Sequence, residues 1–415
     1  MKRFVAAMIL LSASLAAAQI SPQFFGMHIN RNTDPWPSTV GVQFSSWRSV
    51  ASQVKWSDIN TAPGVYDWTN LDKWLSFTGA HGQTVLYTFY YTPSWASQCP
   101  SCTCNSGNEP PGGCYPPDDL NSDGSGTDQH VKDFITALMQ HEGPGKIQYI
   151  EIWNEPNIPM EYAGTVAQLV SMARDVRQIA QSYDPNVKIT SPPETGDGKG
   201  ATKMLYLGEF LSSGGGQYVD VIGLHGYVQN PEDIITRINA TTSEMAQYGQ
   251  MGKPVYVTEG SWCESNPCNA VPVALNQQPG FTFRHYLSML STPVQRFYFF
   301  DYDSTQEGNL WSTESSVMTG NGASYQLYYN WLVGATMIQP CQEQSNSSTW
   351  SCTFNKSGGY QAEAIWNTSV TYPNTIMVTV PSEYIQYRDL YGHVYGIQNH
   401  QVPIGYTPVW LENGL

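Results

Sequence analysis

Two glutamates stand where apolar, β-prone runs end: Glu155 closes "IQYIEIWNEP" and Glu259 closes "PVYVTEGSW". A carboxylic acid that gives up a proton, set opposite a carboxylate that attacks or activates water, is the pair that cleavage of a glycosidic bond requires. Other reactive side chains also fall at the ends of such runs. Asn154 precedes Glu155, Arg48 ends "VQFSSWR", His225 and Tyr227 follow "VDVIGL", and His28 lies in "FFGMHI". Trp95, Trp262 and Trp311 are candidates for stacking on a sugar ring, since an indole has one broad apolar face and a polar edge.

These groups need a frame that brings strand ends together. Eight apolar runs read as strands: 24–29, 42–48, 84–91, 147–153, 187–192, 219–225, 254–260 and 296–303. Helical spacing is clearest where Val166, Leu169, Val170, Ala173, Val176, Ile179 and Ala180 share a face that stops at Asp184-Pro185. Further helices are expected at 71–80, 128–141, 204–211, 231–249 and 325–337. Near-continuous apolar strands alternating with amphipathic helices indicate a parallel sheet covered on both faces. Eight such units predict an α/β (β/α)8 TIM barrel over residues 19–337, whose reactive groups sit at the C-terminal strand ends. After Met337 only short β-prone runs follow, separated by Ser, Asn, Gly and Pro, so residues 338–415 are expected to form a small C-terminal β-sandwich.

The first residues follow the pattern of an export signal over 1–18: Lys2 and Arg3, an apolar run from Phe4 to Leu15, then small residues before Gln19. That run is shorter than the roughly 20 residues a membrane span needs. The expected location is therefore secreted or periplasmic. Eight cysteines in such a chain predict disulfides. The spacings pair Cys263 with Cys268 and Cys341 with Cys352, and leave the pairing open among Cys99, Cys102, Cys104 and Cys114. The chain has 19 Lys and Arg against 34 Asp and Glu, which excludes a phosphate-backbone partner and hence nucleic acid. Many uncharged polar and aromatic groups suit a neutral, hydroxylated ligand, so the expected partner is a carbohydrate.

"DLNSDGSGTDQH", from Asp119 to His130, opens like a calcium loop, but its twelfth position is His130 instead of a bidentate Glu. It reads as an exposed turn leading to a helix capped by Asp128, and no metal or cofactor is expected. Asn239, Asn346, Asn355 and Asn367 begin Asn-x-Ser/Thr sequons, which matter only in a eukaryotic secretory host.

Trp153-Asn154-Glu155-Pro156-Asn157 after a fourth strand, with a Glu after a seventh, resembles the retaining glycoside hydrolases of clan A. "FFGMHINR", "SSWRS", "VKWSDINTAPGVYDWTNLDKWL", "TPSWAS", "VDVIGLHGY", "YRDLYGHVYGI" and "YTPVWL", in this order, are most similar to glycoside hydrolase family 39. The loop from Cys99 to Asp128 and "CESNPC" after Glu259 depart from that pattern.

The resemblance implies a general acid/base at Glu155 and a nucleophile at Glu259. It also implies that Asn154 bonds the sugar 2-hydroxyl and that Arg48 and Tyr227 lie beside Glu259. A guanidinium there would favour a carboxylate, while burial among aromatics would hold Glu155 protonated. The implied substrate is a β-linked plant or microbial poly- or oligosaccharide, cut in β-xylosidase-like or endo fashion. Competing readings are a non-catalytic carbohydrate-binding protein on the same scaffold, or a transglycosylase using the same residues.

Overall fold

The computed structural model describes residues 18–104, 109–196, 205–262, 273–304, 309–345 and 347–415. The expected Cys263–Cys268 bridge, the Asn346 sequon and nearly all of the expected export signal lie outside them.

Eight parallel strands form the central sheet: β1 (Phe25–His28), β2 (Ser46–Arg48), β3 (Thr84–Phe89), β4 (Tyr149–Ile152), β5 (Lys188–Thr190), β6 (Ile222–His225), β7 (Val255–Glu259) and β8 (Val294–Phe299). Their spatial order is β5-β4-β3-β2-β1-β8-β7-β6. Parallel bridges from Thr190 to Val221 and from Glu194 to Leu224 join β5 to β6 and close the ring. This is a (β/α)8 barrel. All eight strands coincide with the apolar runs, because strands covered on both faces carry apolar residues on both sides.

The helices outside also follow their periodicity. Val166–Tyr183 begins with a capping box, in which Gln168 N–H donates to Thr165 Oγ1 and Thr165 N–H donates to Gln168 Oε1. The helix expected at 325–337 runs instead over Gly320–Leu332, because Thr319 caps it and Thr336 already starts a strand. One helix, Gln278–Leu290, is absent from the sequence expectation. Residues 278–289 are all buried, including the polar Gln278, Arg284 and His285, which a reading of polar residues as a wet face does not anticipate.

The last 80 or so residues form antiparallel sheets. A six-stranded sheet contains Thr336–Glu343, Thr349–Asn355, Gln361–Asn367, Val409–Glu412, Gln386–Arg388 and Val394–Gly396. Thr375–Thr379 pairs with Gln401–Gly405 in a second sheet, and Ile365, Val402, Ile404 and Leu411 fill the space between them. This β unit is fastened to the barrel at the buried helix. Arg284 donates to both oxygens of Glu232 at 2.8 and 2.6 Å, and Trp366 Nε1 donates to Glu232 Oε1 at 2.7 Å. Disulfides join Cys99 to Cys102, Cys104 to Cys114 and Cys341 to Cys352, which settles the pairing the spacings left open. Among the described residues no helix is long and apolar enough to cross a membrane.

Candidate active site

The β4 strand ends in two non-glycine residues with left-handed backbone, Trp153 at φ 64° and Glu155 at φ 42°. Such conformations persist only where the surroundings enforce them, and they cluster at functional sites. Here the Trp153 indole is buried and donates to the Glu161 carbonyl at 2.8 Å. The reversal turns Glu155 toward His225, and its side chain keeps 15% exposure. Burial pushes the Glu155 carboxyl above the usual glutamate range, with only partial compensation from a Thr195 hydrogen bond.

Arg48, at the end of β2, is the hub of the site and is fully buried. Its Nε donates to Glu151 Oε2 at 2.7 Å, its Nη1 to Glu259 Oε2 at 2.6 Å and its Nη2 to Asn154 Oδ1 at 2.9 Å. The other oxygen of Glu259 accepts from the Tyr227 hydroxyl at 2.6 Å. Both oxygens of that carboxylate are thus oriented before any substrate arrives.

His225, at the end of β6, spans the two acids. Nδ1 is 2.6 Å from Glu155 Oε1, and Nε2 is 3.8 Å from Glu259 Oε2. Burial, helped by the charges of Arg48 and Arg237 and opposed by Glu259, pushes its imidazole down to about 3. A neutral ring donates from one nitrogen and accepts at the other, so its tautomer follows the proton on Glu155. Arg237 fixes the histidine by donating to its carbonyl at 2.6 Å. The strand ends close tightly here: Gly226 N–H donates to Glu259 O at 2.7 Å, and a Cβ on Gly260 would meet the Gly226 backbone at 3.0 Å. One oxygen from each of Glu155 and Glu259 and one nitrogen of His225 all lie within 4.8 Å of one another.

The structure thus brings Arg48, Asn154, Glu155, His225, Tyr227 and Glu259 into one network. His28 lies buried at its edge, Nε2 2.9 Å from the Thr258 carbonyl, and burial lowers its pKa well below the ordinary imidazole range. The tryptophans go elsewhere. Trp262 is 1% exposed and meets Phe281 edge to face, and Trp311 is 7% exposed and stacks on Tyr302. Neither offers an open ring face, which corrects the stacking expectation for both: the same apolar surface is used for packing. Trp95 is half-buried on the rim, its Nε1 donating to the Asn60 carbonyl at 2.9 Å.

Three groups in the site carry little sequence signal. Glu151 lies inside β4, fully buried, and also accepts from Thr88 Oγ1 at 3.0 Å. A charged residue in an otherwise apolar strand demands a partner, and that was its only sign. Phe300 follows β8 with its ring against Tyr227 and His28, an aromatic wall no spacing announces. Glu161 accepts from the Tyr91 hydroxyl at 2.5 Å and is pushed up to about 7 by burial, with further contributions from the charges of Glu155 and Glu259.

Among the described residues three groups have metal-ligand spacing: Glu155–His225–Glu259, Asp118–Asp119–His130 and Asp72–His141–Glu142. In the second, the Asp119 carboxylate already serves the loop. Its Oδ2 accepts from Thr127 Oγ1 at 2.9 Å, Gln129 N at 2.5 Å and His130 N at 3.2 Å. Asp119, not Asp128, therefore caps the helix Gln129–Glu142. Asp128 has left-handed backbone, makes no cap bond and is fully buried.

The model of the family described as "Glycosyl hydrolase catalytic core" matches residues 124–331, half of the chain. Solved structures share the fold over almost the whole length. A glucosidase from Croceicoccus marinus is 14% identical with a TM-score of 0.64, covering 96% of this chain and 97% of its own. A monomeric β-xylosidase from Caulobacter crescentus is 14% identical with a TM-score of 0.62 and the same coverage. A GH30 endoxylanase from Clostridium papyrosolvens is 11% identical with a TM-score of 0.60, covering 96% of this chain and 98% of its own. No curated protein matches the sequence.

Proposed function

The chain belongs to the glycosyl hydrolase catalytic core family, and from that premise we propose that it is an exported, retaining β-glycosidase working by double displacement. Glu259 attacks the anomeric carbon, and the bond to the departing oxygen breaks as Glu155 protonates that oxygen. Water then attacks the glycosyl–Glu259 ester, losing its proton to Glu155, and the carboxylate of Glu259 is released.

The observation that carries this reading is the approach of a Glu155 oxygen to a Glu259 oxygen within 4.8 Å. Retaining pairs are separated by about 5–5.5 Å, while inverting pairs stand about 6.5–9.5 Å apart to admit a water. The environments also differ in the required sense. Glu155 is biased toward its protonated form by burial, while Glu259 faces the Arg48 guanidinium and the Tyr227 hydroxyl. Neutral His225 accepts a hydrogen bond at Nδ1 from protonated Glu155, or in its other tautomer donates one there to the Glu155 carboxylate, so it serves both half-reactions without adding charge.

Asn154, held by Arg48, is placed to meet the sugar 2-hydroxyl. The substrate class we infer is a β-linked plant or microbial glycan, consistent with the similarly folded glucosidase, β-xylosidase and endoxylanase. Family 39 is the assignment the motif order favours. The N-terminal pattern, together with the disulfides, supports export, and we assign residues 19–337 to the barrel and 338–415 to an accessory unit.

A panel of aryl β-glycosides and xylan-, glucan- and mannan-type polymers, with the first-formed anomer read by proton NMR, tests the proposal. Release of a β-anomer from a β-glycoside supports it. An α-anomer as first product, or no hydrolysis across the panel, refutes it.

A further inference from the structure

Trp95 stands at one end of a groove of about 630 Å³ that runs from the barrel rim down its flank. One wall is the loop with Asn60, Pro63, Gly64 and Tyr66. The other is the helix Gln129–Glu142, which presents His130, Asp133, Thr136, Ala137 and Gln140. The spacing of those helical positions puts them on one face, about 15 Å long over ten residues. Trp95 and Tyr66 are both half-buried, so each keeps ring surface open. Two contacts hold Trp95: its Nε1 donates to Asn60 O at 2.9 Å, and its ring meets the His130 ring in a T-shaped contact with centroids 5.1 Å apart. His130 is in turn 3.0 Å from Asp118.

The chemistry of this lining is selective. Two aromatic rings lie beside Asp118, Asp133, His130, Gln140 and Thr136, which offer hydrogen bonds to hydroxyls, and among the described residues no Lys or Arg lines the groove. Such a surface repels anionic polymers and suits the alternating apolar faces and hydroxyl edges of a neutral sugar chain. Trp95 and His130 contact Asn60, Asp118 and each other. Among the described residues, the groove lining shares no member with the network of Arg48, Asn154, Glu155, His225, Tyr227 and Glu259.

We propose that this groove is a second glycan-binding site, which takes a neutral β-linked oligosaccharide and holds a polymer beside the catalytic mouth. The inference rests on the glycosidase reading for its ligand class.

The test uses the full chain carrying Glu259→Gln, titrated calorimetrically with xylohexaose and with cellohexaose. Two sites are expected for one of these sugars. Adding Trp95→Ala, or Ala137→Arg, which blocks the groove from the half-buried Ala137 on a helix whose other face packs inward, should weaken one site by about tenfold or more and leave the other unchanged. In the chain with Glu259 intact, Ala137→Arg should lower turnover of the soluble polymer several-fold with kcat/KM for an aryl glycoside unchanged. A single site in the parent, or equal loss on polymer and aryl glycoside in Ala137→Arg, overturns the groove. Hydrolysis surviving in Glu259→Gln refutes the catalytic reading instead, and leaves a two-site titration standing for the groove.

Discussion

Arg48 lies fully buried between two carboxylates, donating from Nε to Glu151 at 2.7 Å and from Nη1 to Glu259 at 2.6 Å. One cation thus holds both the strand interior and the proposed nucleophile. Removing one member of a buried ion pair typically costs about 3–5 kcal/mol, because the remaining charge is left uncompensated. Glu151→Ala should therefore lower unfolding stability by about that amount in urea titration. It should also reduce kcat/KM, since Arg48 would then be free to settle wholly on Glu259. A loss below about 1 kcal/mol would show that Glu151 does not anchor the guanidinium.

Glu155 must be protonated to assist departure of the leaving group. Burial raises its pKa above the ordinary glutamate value, so kcat/KM should fall as pH rises through that raised pKa. Glu155→Gln should abolish this basic limb. General acid assistance is worth about 10²–10⁴-fold, so glycosides with poor leaving groups should lose that much while activated aryl glycosides lose far less. A pH–rate profile for each substrate reads both effects. An unchanged basic limb in Glu155→Gln would assign the proton elsewhere.

Asp128 offers a pH effect on stability away from the site. Both its oxygens are buried, and burial together with the charges of Asp175 and Asp119 pushes its carboxyl up to about 8 from 3.8, against the weaker pull of Lys132. Asp175 itself is held by Arg174 at 2.7 Å and Lys132 at 3.1 Å. Between these two values the folded chain keeps a proton at Asp128 that the unfolded chain has released. Its contribution is therefore complete below about pH 4 and is lost as pH rises toward about 8. Asp128→Asn should flatten that part of the Tm-versus-pH curve. An identical slope in the variant would contradict the assignment.

The fold was readable because a parallel barrel writes both of its elements in period: apolar strands, then helices with one wet face. The exception is the helix Gln278–Leu290, enclosed between barrel and β unit, whose polar members Arg284 and Gln278 are buried along with its phenylalanines. That Arg48, Glu155, His225 and Glu259 would meet was legible, because the barrel sends consecutive strand ends to one mouth. Trp262 and Trp311 were not, since an aromatic that packs and one that stacks on a ligand are the same residue in sequence. Asp119 took the capping role expected of Asp128 for a related reason. Both have the side chain of a helix cap, and only the left-handed backbone at Asp128 decides which of them reaches the free N–H groups.

The central claim is that Glu259 forms the covalent intermediate, and Glu259→Ala with added sodium azide tests it most directly. With an activated aryl β-glycoside, activity should fall by several orders of magnitude without azide, recover in part with it, and yield the α-glycosyl azide by NMR. Undiminished turnover in Glu259→Ala, or rescue giving the β-azide, would contradict the account.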